Sequence, residues 1–195
     1  EYAHILSRMR KGRKTVVGHW QDPKTLEHIA VWQRVAAAWA DSQDMRIIRF
    51  GDQMNNVAVT DGDKVEAEIR FGFHVDYVPF SEVMTYFEKV EDKAVDELVQ
   101  VYFNEYDHAP ELEDKATEAY RKVWNSAKAE LTLRAVLEAY GAKAFTSNFD
   151  DLGDVNVEET GKGFDQIPGL ASQRLMADGY GFGGEGDWKT AALVR

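Results

Sequence analysis

The sequence predicts a layered α/β fold, in which helices flank a parallel β-sheet and one β-hairpin is added. Apolar patterns typical of strands and helices alternate along most of the chain, and residues 14–50 have a strand–helix–strand pattern. Such a unit implies parallel strands joined by a right-handed crossover. Of the 195 residues, 44% are hydrophobic and 12% aromatic, enough for the core of one to two domains. We therefore expect a Rossmann-like or flavodoxin-like sheet.

The first strand–helix–strand unit depends on three segments. A short apolar run at residues 14–20 predicts a strand that ends near a glycine. Asp22 and Pro23 predict the start of a helix that runs to about residue 40, with its apolar residues on one side. Residues 45–50 predict the next strand.

A β-hairpin is predicted around Asp61 and Gly62. Asp-Gly supplies the two positive-φ positions of a type I′ turn, and residues 57–60 and 65–69 would form the two arms. The second arm alternates apolar and charged residues, which predicts one buried and one exposed face.

Long helices follow the predicted hairpin. Residues 81–106 have an apolar stripe at helical spacing, with a break near Glu91. Pro110 predicts the start of another long helix, which Gly141 ends.

The last third of the chain returns to alternating elements. Residues 142–146 predict a strand, and residues 148–164 predict a polar loop that contains glycine. Residues 168–178 predict a helix. The glycine-rich residues 179–186 predict a hinge before a final helix, which Asp187 can cap.

Composition and charge exclude several classes of protein. The net charge is −11, and the five basic residues within 8–14 are read either as a phosphate-binding patch or as a solvated helix end. The acidic chain and the lack of interleaved aromatics favour the second reading, so we expect no nucleic-acid partner. The absence of Cys excludes disulfides and thiolate metal sites. No apolar run approaches the roughly 20 residues of a membrane helix, and the start lacks a signal pattern, so we expect a cytoplasmic protein.

Both ends of the chain have helical patterns without capping residues. A natural domain usually begins and ends in polar linkers. We therefore expect the chain to be cut at both ends.

Glu185 lies in the most unusual segment of the sequence. Five of the eight residues at 179–186 are glycine, and three of them have G-x-G-x-x-G spacing. A dinucleotide site needs a strand before those glycines, whereas residues 170–177 predict a helix. Glycines permit the close backbone approach that aims a carboxylate into a site. The alternative is that Glu185 only stabilises the start of the final helix.

The histidines form no recognisable catalytic or metal-binding motif. His19 follows a predicted strand and a glycine, where α/β folds bind ligands, but a hydrogen-bonded structural histidine is the alternative. His74 and Asp76 are one residue apart on an extended segment, so both side chains would share one face.

Two polar segments follow predicted strands and are candidates for the ligand-binding edge of the sheet. Residues 51–56 include Met54, and residues 148–151 include Phe149 and two acids. The alternatives are a core role for Met54 and ordinary turn or capping roles for the acids.

Residues 49–67, 144–152 and 170–193 resemble the bacterial L-arabinose isomerases, and residues 18–22 fit the same family. The resemblance runs along the whole chain. It implies that residues 1–45 end an N-terminal α/β domain, that residues 46–195 form most of a central α/β domain, and that the family's C-terminal domain is absent from this sequence.

The resemblance also implies an activity, the conversion of L-arabinose to L-ribulose and of D-galactose to D-tagatose through a cis-enediol with a divalent metal, Mn²⁺. It makes Glu185 a metal ligand and catalytic carboxylate, and it places Met54 and Phe149 against the sugar. The second Glu ligand and two His ligands would lie outside this sequence, so we expect the chain alone to be inactive. Residues 153–164 depart from the shorter linker expected in many relatives.

The resemblance further implies a homo-oligomer, a hexamer or a tetramer, that acts on a small sugar. The alternative hypothesis is a non-catalytic α/β module that binds a sugar or a partner.

Overall fold

A computed structural model describes residues 2–152 and 163–195, which fall into two compact units, Glu1–Gln43 and Asp44–Arg195. Unit 1 contains helices α1 (Tyr2–Arg8) and α2 (Pro23–Ser42). The Asp22 carboxylate accepts hydrogen bonds from the Lys24 backbone N–H and from the Thr25 hydroxyl, both at 3.2 Å. These caps confirm the helix that Asp22 and Pro23 predict.

The strand predicted at residues 14–20 is wrong, because this segment has no regular secondary structure. A strand needs a neighbour to pair its backbone N–H and C=O groups, and the described part of unit 1 contains helices only. The strand–helix–strand unit predicted over 14–50 is therefore not formed. The parallel sheet arises instead entirely within unit 2.

Unit 2 is built on a parallel sheet in the order β2-β1-β3-β4, which confirms the layered α/β class. Its strands are β1 (Arg46–Phe50), β2 (His74–Val78), β3 (Ala144–Ser147) and β4 (Gly181–Gly184). Its helices are α3 (Lys64–Phe71), α4 (Phe80–Phe87), α5 (Asp92–Glu105), α6 (Glu118–Tyr140), α7 (Phe149–Leu152), α8 (Gly169–Ala177) and α9 (Trp188–Leu193).

The alternation of side chains along β1 gives the sheet two apolar faces. Ile48 and Phe50 are fully buried in one cluster, whose helical residues come from α4, α6 and α8. Ile47 packs on the other face, in a cluster that includes Ala67 of α3 and Trp188 of α9. Helices therefore cover both faces, as a parallel sheet requires.

The predicted hairpin is wrong, because its arms are a 3₁₀ turn (Ala58–Thr60) and helix α3. The Asp63 carboxylate accepts a hydrogen bond from the Glu66 backbone N–H at 2.9 Å, and Gly72 ends the helix at φ 80°. These two caps fix a helix. Val65 and Ile69, which the hairpin would have buried, are 68% and 79% exposed.

The glycine-rich hinge is also wrong, because residues 181–184 form strand β4 at the edge of the sheet. A Cβ atom on Gly181 would collide with the Ala191 carbonyl oxygen, and one on Gly183 would collide with that of Asp187. Glycine is thus needed here because the backbone of α9 lies directly against the strand.

Most of the remaining predicted elements are confirmed. The break near Glu91 separates α4 from α5, Gly141 ends α6 at φ 62°, and the Asp187 carboxylate caps α9. Pro110 begins only a 3₁₀ turn (Pro110–Glu113), and α6 starts at Glu118 after a Thr117 cap.

The loop predicted at 148–164 begins with α7, and its residues 153–162 lie outside the described residues. In the part of the chain that is described, no helix is both long and apolar enough to cross a bilayer.

Glu130 of α6 links this helix to α5 and α8. Its carboxylate is 1% exposed and accepts hydrogen bonds from Tyr102 of α5 at 2.6 Å, Arg134 of α6 at 3.0 Å and Arg174 of α8 at 2.9 Å. Arg174 also pairs with Glu105 of α5 at 2.6 Å. Burial, together with the bond to Glu130, raises the pKa of Tyr102 above its ordinary value of 10.0.

We expect Glu130→Ala to destabilise the chain by about 3–5 kcal/mol, because it leaves two arginines near the core without their shared carboxylate. The control is Glu66→Ala, which breaks the exposed i,i+4 pair with Arg70 and is expected to cost at most about 0.5 kcal/mol. Urea unfolding measures both, and equal losses would show that the Glu130 cluster is not a stability centre.

Candidate functional site

The candidate site lies at the carboxyl end of the sheet, between β1 and β3. The strand order places β2 on one side of β1 and β3 on the other, so the direction in which strands are added reverses there. In open α/β sheets, ligands bind at the carboxyl ends of the strands at such a switch point. The segments that leave β1, β3 and β4 begin at Gly51, Asn148 and Glu185.

Glu185 is held in an unusual backbone conformation at this edge. Its φ is 62°, a left-handed value that non-glycine residues rarely adopt. Its carbonyl oxygen accepts a hydrogen bond from the Met54 N–H at 3.3 Å, and the next residue, Gly186, donates to the Ser147 carbonyl at 3.1 Å. The half-buried Glu185 is therefore fixed between the ends of β1 and β3.

The structure brings Met54 and Phe149 to the same edge as Glu185. Met54 is half-buried and shares the backbone hydrogen bond just described. The Phe149 ring lies beside β4, since a Cβ on Gly184 would be 3.7 Å from its Cζ atom. Phe149 is 37% exposed, so its ring is open to a ligand at the edge. The roles of these residues stay predictions.

Polar contacts fix the segment that leads from β1 to Met54. Asn148 Nδ2 donates to the Asp52 carbonyl at 2.7 Å, and Arg49 Nη1 donates to Gln53 Oε1 at 2.9 Å. Sequence reasoning missed Arg49. The available signal was a charged residue between two large apolar residues, Ile48 and Phe50, in a predicted strand.

Helix α9 holds the next part of the same loop. The Lys189 ammonium donates to the carbonyl oxygens of Val59, at 2.5 Å, and of Asp61. The Trp188 ring lies against Gly62, where a Cβ would be 2.8 Å from the indole. The residues just after Glu185 therefore anchor the loop that contains Met54.

The two candidate histidines make local contacts, each within its own unit. His19 belongs to unit 1, where its Nδ1 accepts a hydrogen bond from the Gln21 N–H at 3.2 Å within a turn. His74 begins β2, at the amino end of the sheet, and its ring is 3.3 Å from Glu68. Asp76 pairs with Arg46 at 2.7 Å rather than with His74.

A divalent cation needs more ligands than this edge supplies. Glu185 offers oxygen atoms, which suit a hard ion such as Mn²⁺. Nowhere in 2–152 or 163–195 do three or more His, Cys, Asp or Glu residues gather in a group that could hold a metal. These residues therefore do not form a complete metal site.

An open parallel sheet with polar loops at the carboxyl ends of its strands and a switch point in its strand order is typical of the α/β proteins that bind small ligands there. Within that class, the chain belongs to the L-arabinose isomerase family. The profile of the L-arabinose isomerase central domain matches residues 46–195, and that of the L-arabinose isomerase N-terminal domain matches residues 1–44.

Proteins named L-arabinose isomerase align with the whole chain. Those of Phocaeicola vulgatus and Bacteroides thetaiotaomicron are 69% and 68% identical over 195 residues, and that of Geobacillus stearothermophilus is 47% identical over 197 residues. The alignments cover 100% of this chain but only 37–38% of each relative. The chain thus spans well under half the length of these curated relatives.

The left-handed backbone at Glu185 predicts an unusual response to substitution. Glu185→Gly should be about 1 kcal/mol more stable than Glu185→Ala, because glycine adopts positive φ without a Cβ clash. At Glu97, exposed on helix α5, the order should reverse, since glycine costs about 1 kcal/mol relative to alanine inside a helix. Urea unfolding of the four variants tests this, and the same order at both positions would contradict the left-handed assignment.

Proposed function

We propose that this chain is part of an aldose–ketose isomerase that interconverts L-arabinose and L-ribulose, and also D-galactose and D-tagatose. The observation that supports this most directly is Glu185, whose backbone turn is fixed by hydrogen bonds to the segment after β1 and, through Gly186, to the end of β3, in a chain of the L-arabinose isomerase family. A carboxylate at this edge of the sheet can perform a proton transfer of the kind that such a reaction needs.

The reaction moves a proton between C2 and C1 of the sugar and hydrogens between the two oxygens. A carboxylate removes the C2 proton, a cis-enediol forms, and protonation at C1 completes the ketose. We assign one of these proton transfers to Glu185. A second acid–base group is needed for the oxygens, and we assign it to a part of the protein outside this chain.

Glu185 is also proposed to contribute one oxygen ligand to Mn²⁺. When bound, such an ion would stabilise the negative charge that develops on the sugar oxygens. The remaining ligands, a Glu and two His, are proposed to lie beyond the residues of this chain. Fixing Glu185 through its backbone limits how far its carboxylate can move toward the sugar or the ion.

Met54 and Phe149 are proposed to contact the sugar. The Met54 N–H donates to the Glu185 carbonyl, and the Phe149 ring lies beside Gly184 of β4, so both residues lie close to Glu185. An apolar thioether and an aromatic ring displace water from the carbon skeleton and strengthen the electrostatic interactions of the carboxylate.

We further propose that residues 1–45 end an N-terminal domain and that residues 46–195 belong to a central domain. The separate profile matches at 1–44 and 46–195 support this division. A cytoplasmic homo-oligomer, a hexamer or a tetramer, is part of the same proposal.

Glu185→Gln in the full-length protein should lower kcat by about 10²–10⁴-fold, because the amide keeps the shape but cannot accept the proton. The measurement is L-ribulose formation from L-arabinose with Mn²⁺. Glu97→Gln, a matched change on exposed α5, should leave kcat unchanged. Substantial turnover by the Glu185 variant would remove Glu185 from the mechanism.

The 195-residue chain alone should form no L-ribulose above the uncatalysed rate, because no group of three or more His, Asp or Glu residues in its described part could hold the metal that the proposed reaction requires. The assay uses Mn²⁺ and L-arabinose, with the full-length protein as the positive control. Enzymatic turnover by the chain would disprove the proposal that the active site is divided between this chain and the rest of the protein.

Sugar binding without turnover by the full-length protein would favour the alternative, a non-catalytic sugar-binding module.

A further inference from the structure

Arg49 is an unusual residue for its place in the fold. It lies in strand β1 between the fully buried Ile48 and Phe50, and it is itself only 7% exposed. Burying a guanidinium is costly unless its donors are paired. Its Nε atom has no hydrogen-bond partner among the described residues, so general stability alone does not account for a cation at this position.

The two Nη atoms of Arg49 hold consecutive residues of the loop that follows β1. Nη1 donates to Gln53 Oε1 at 2.9 Å, and Nη2 is 3.1 Å from Asp52 Oδ1. The guanidinium also lies 5.8 Å from the centre of the Tyr77 ring. One rigid, planar group therefore fixes the loop at two adjacent positions.

That loop lies directly against the Glu185 turn. A Cβ on Gly186 would be 2.6 Å from Gln53 Cα and 3.2 Å from the Asp52 carbonyl oxygen. One residue further along, the Met54 N–H donates to the Glu185 carbonyl at 3.3 Å. A shift of Gln53 would therefore displace both Met54 and the backbone turn at Glu185 and Gly186.

We propose that Arg49 is a positioning residue for the isomerase site, which acts through Gln53 and Asp52 to set the positions of Met54 and Glu185. The inference rests on the proposed function. A lysine at position 49 should not fulfil this role, because its ammonium is a single point charge and cannot present two parallel donors to neighbouring acceptors.

The activity test uses the full-length protein with Arg49→Lys, Gln53→Ala and the double variant. Each single variant should lower kcat/KM for L-arabinose about 10–100-fold, because a misplacement near 1 Å reduces rates on that scale. The kcat/KM of the double variant should lie within about two-fold of that of the less active single variant, since both changes break the same contact. Arg46→Lys is the matched control: Arg46 lies at the other end of β1 and pairs with Asp76, and its variant should keep wild-type kinetics.

A second measurement does not depend on activity. Hydrogen exchange of the Met54 amide should be faster in Arg49→Lys than in the wild type, and unchanged in Arg46→Lys. Gln53→Ala should show the same faster exchange while leaving the buried strand intact.

The role of Arg49 would be overturned if Arg49→Lys kept the wild-type kcat/KM and the wild-type exchange rate of the Met54 amide. It would also be overturned if the losses in kcat/KM of the two single variants multiplied in the double variant. A wild-type protein without isomerase activity would overturn the proposed function instead, and the exchange measurement would still decide whether Arg49 holds the loop.

Discussion

The close approach of helix α9 to strand β4 is the contact on which the candidate site depends. Gly181 and Gly183 have no side chains, so the carbonyl oxygens of α9 lie where Cβ atoms would otherwise be. The chain must then reverse from strand to helix within Glu185 and Gly186, both at positive φ. The strain at Glu185 is thus a consequence of packing, and the same packing holds the Glu185 backbone at the carboxyl edge of the sheet.

The site is assembled from segments that are far apart in the sequence. The parallel register aligns Phe50 with Ser147, and Ser147 with Gly184, so the loops that follow begin side by side. Arg49 of β1 binds Gln53 at the start of the loop that follows β1, and Lys189 of α9 binds the Val59 carbonyl in its later part. Met54 lies between these two anchors, which explains how a residue in a loop without regular structure can occupy a defined position.

Local hydrogen bonding decides which elements could be predicted from the sequence. The start of α2, the break at Glu91, the end of α6 at Gly141 and the cap at Asp187 all follow from bonds between residues at most five apart. The hairpin prediction failed because the same local rules favour a helix when Asp63 and Gly72 are included.

Strand β4 could not be predicted from local rules, because its glycines form a strand only where the backbone of α9 packs against them. Likewise, Glu185 stood out through its flanking glycines, whereas the role of Arg49 depends on a tertiary contact with Gln53 that no spacing reveals.

The Glu130 cluster links the edge of the sheet to the central helices of unit 2. Edge strands that are rich in glycine usually fray first, because few apolar contacts oppose local unfolding. Here β4 follows directly after α8, and Arg174 of α8 is bound to Glu130 of α6 and Glu105 of α5. An opening that includes both β4 and α8 would therefore have to break the ion pairs of Arg174 with Glu130 and Glu105. The strand that leads to Glu185 is thus tied through α8 to the central helices, although it lies at the margin of the sheet.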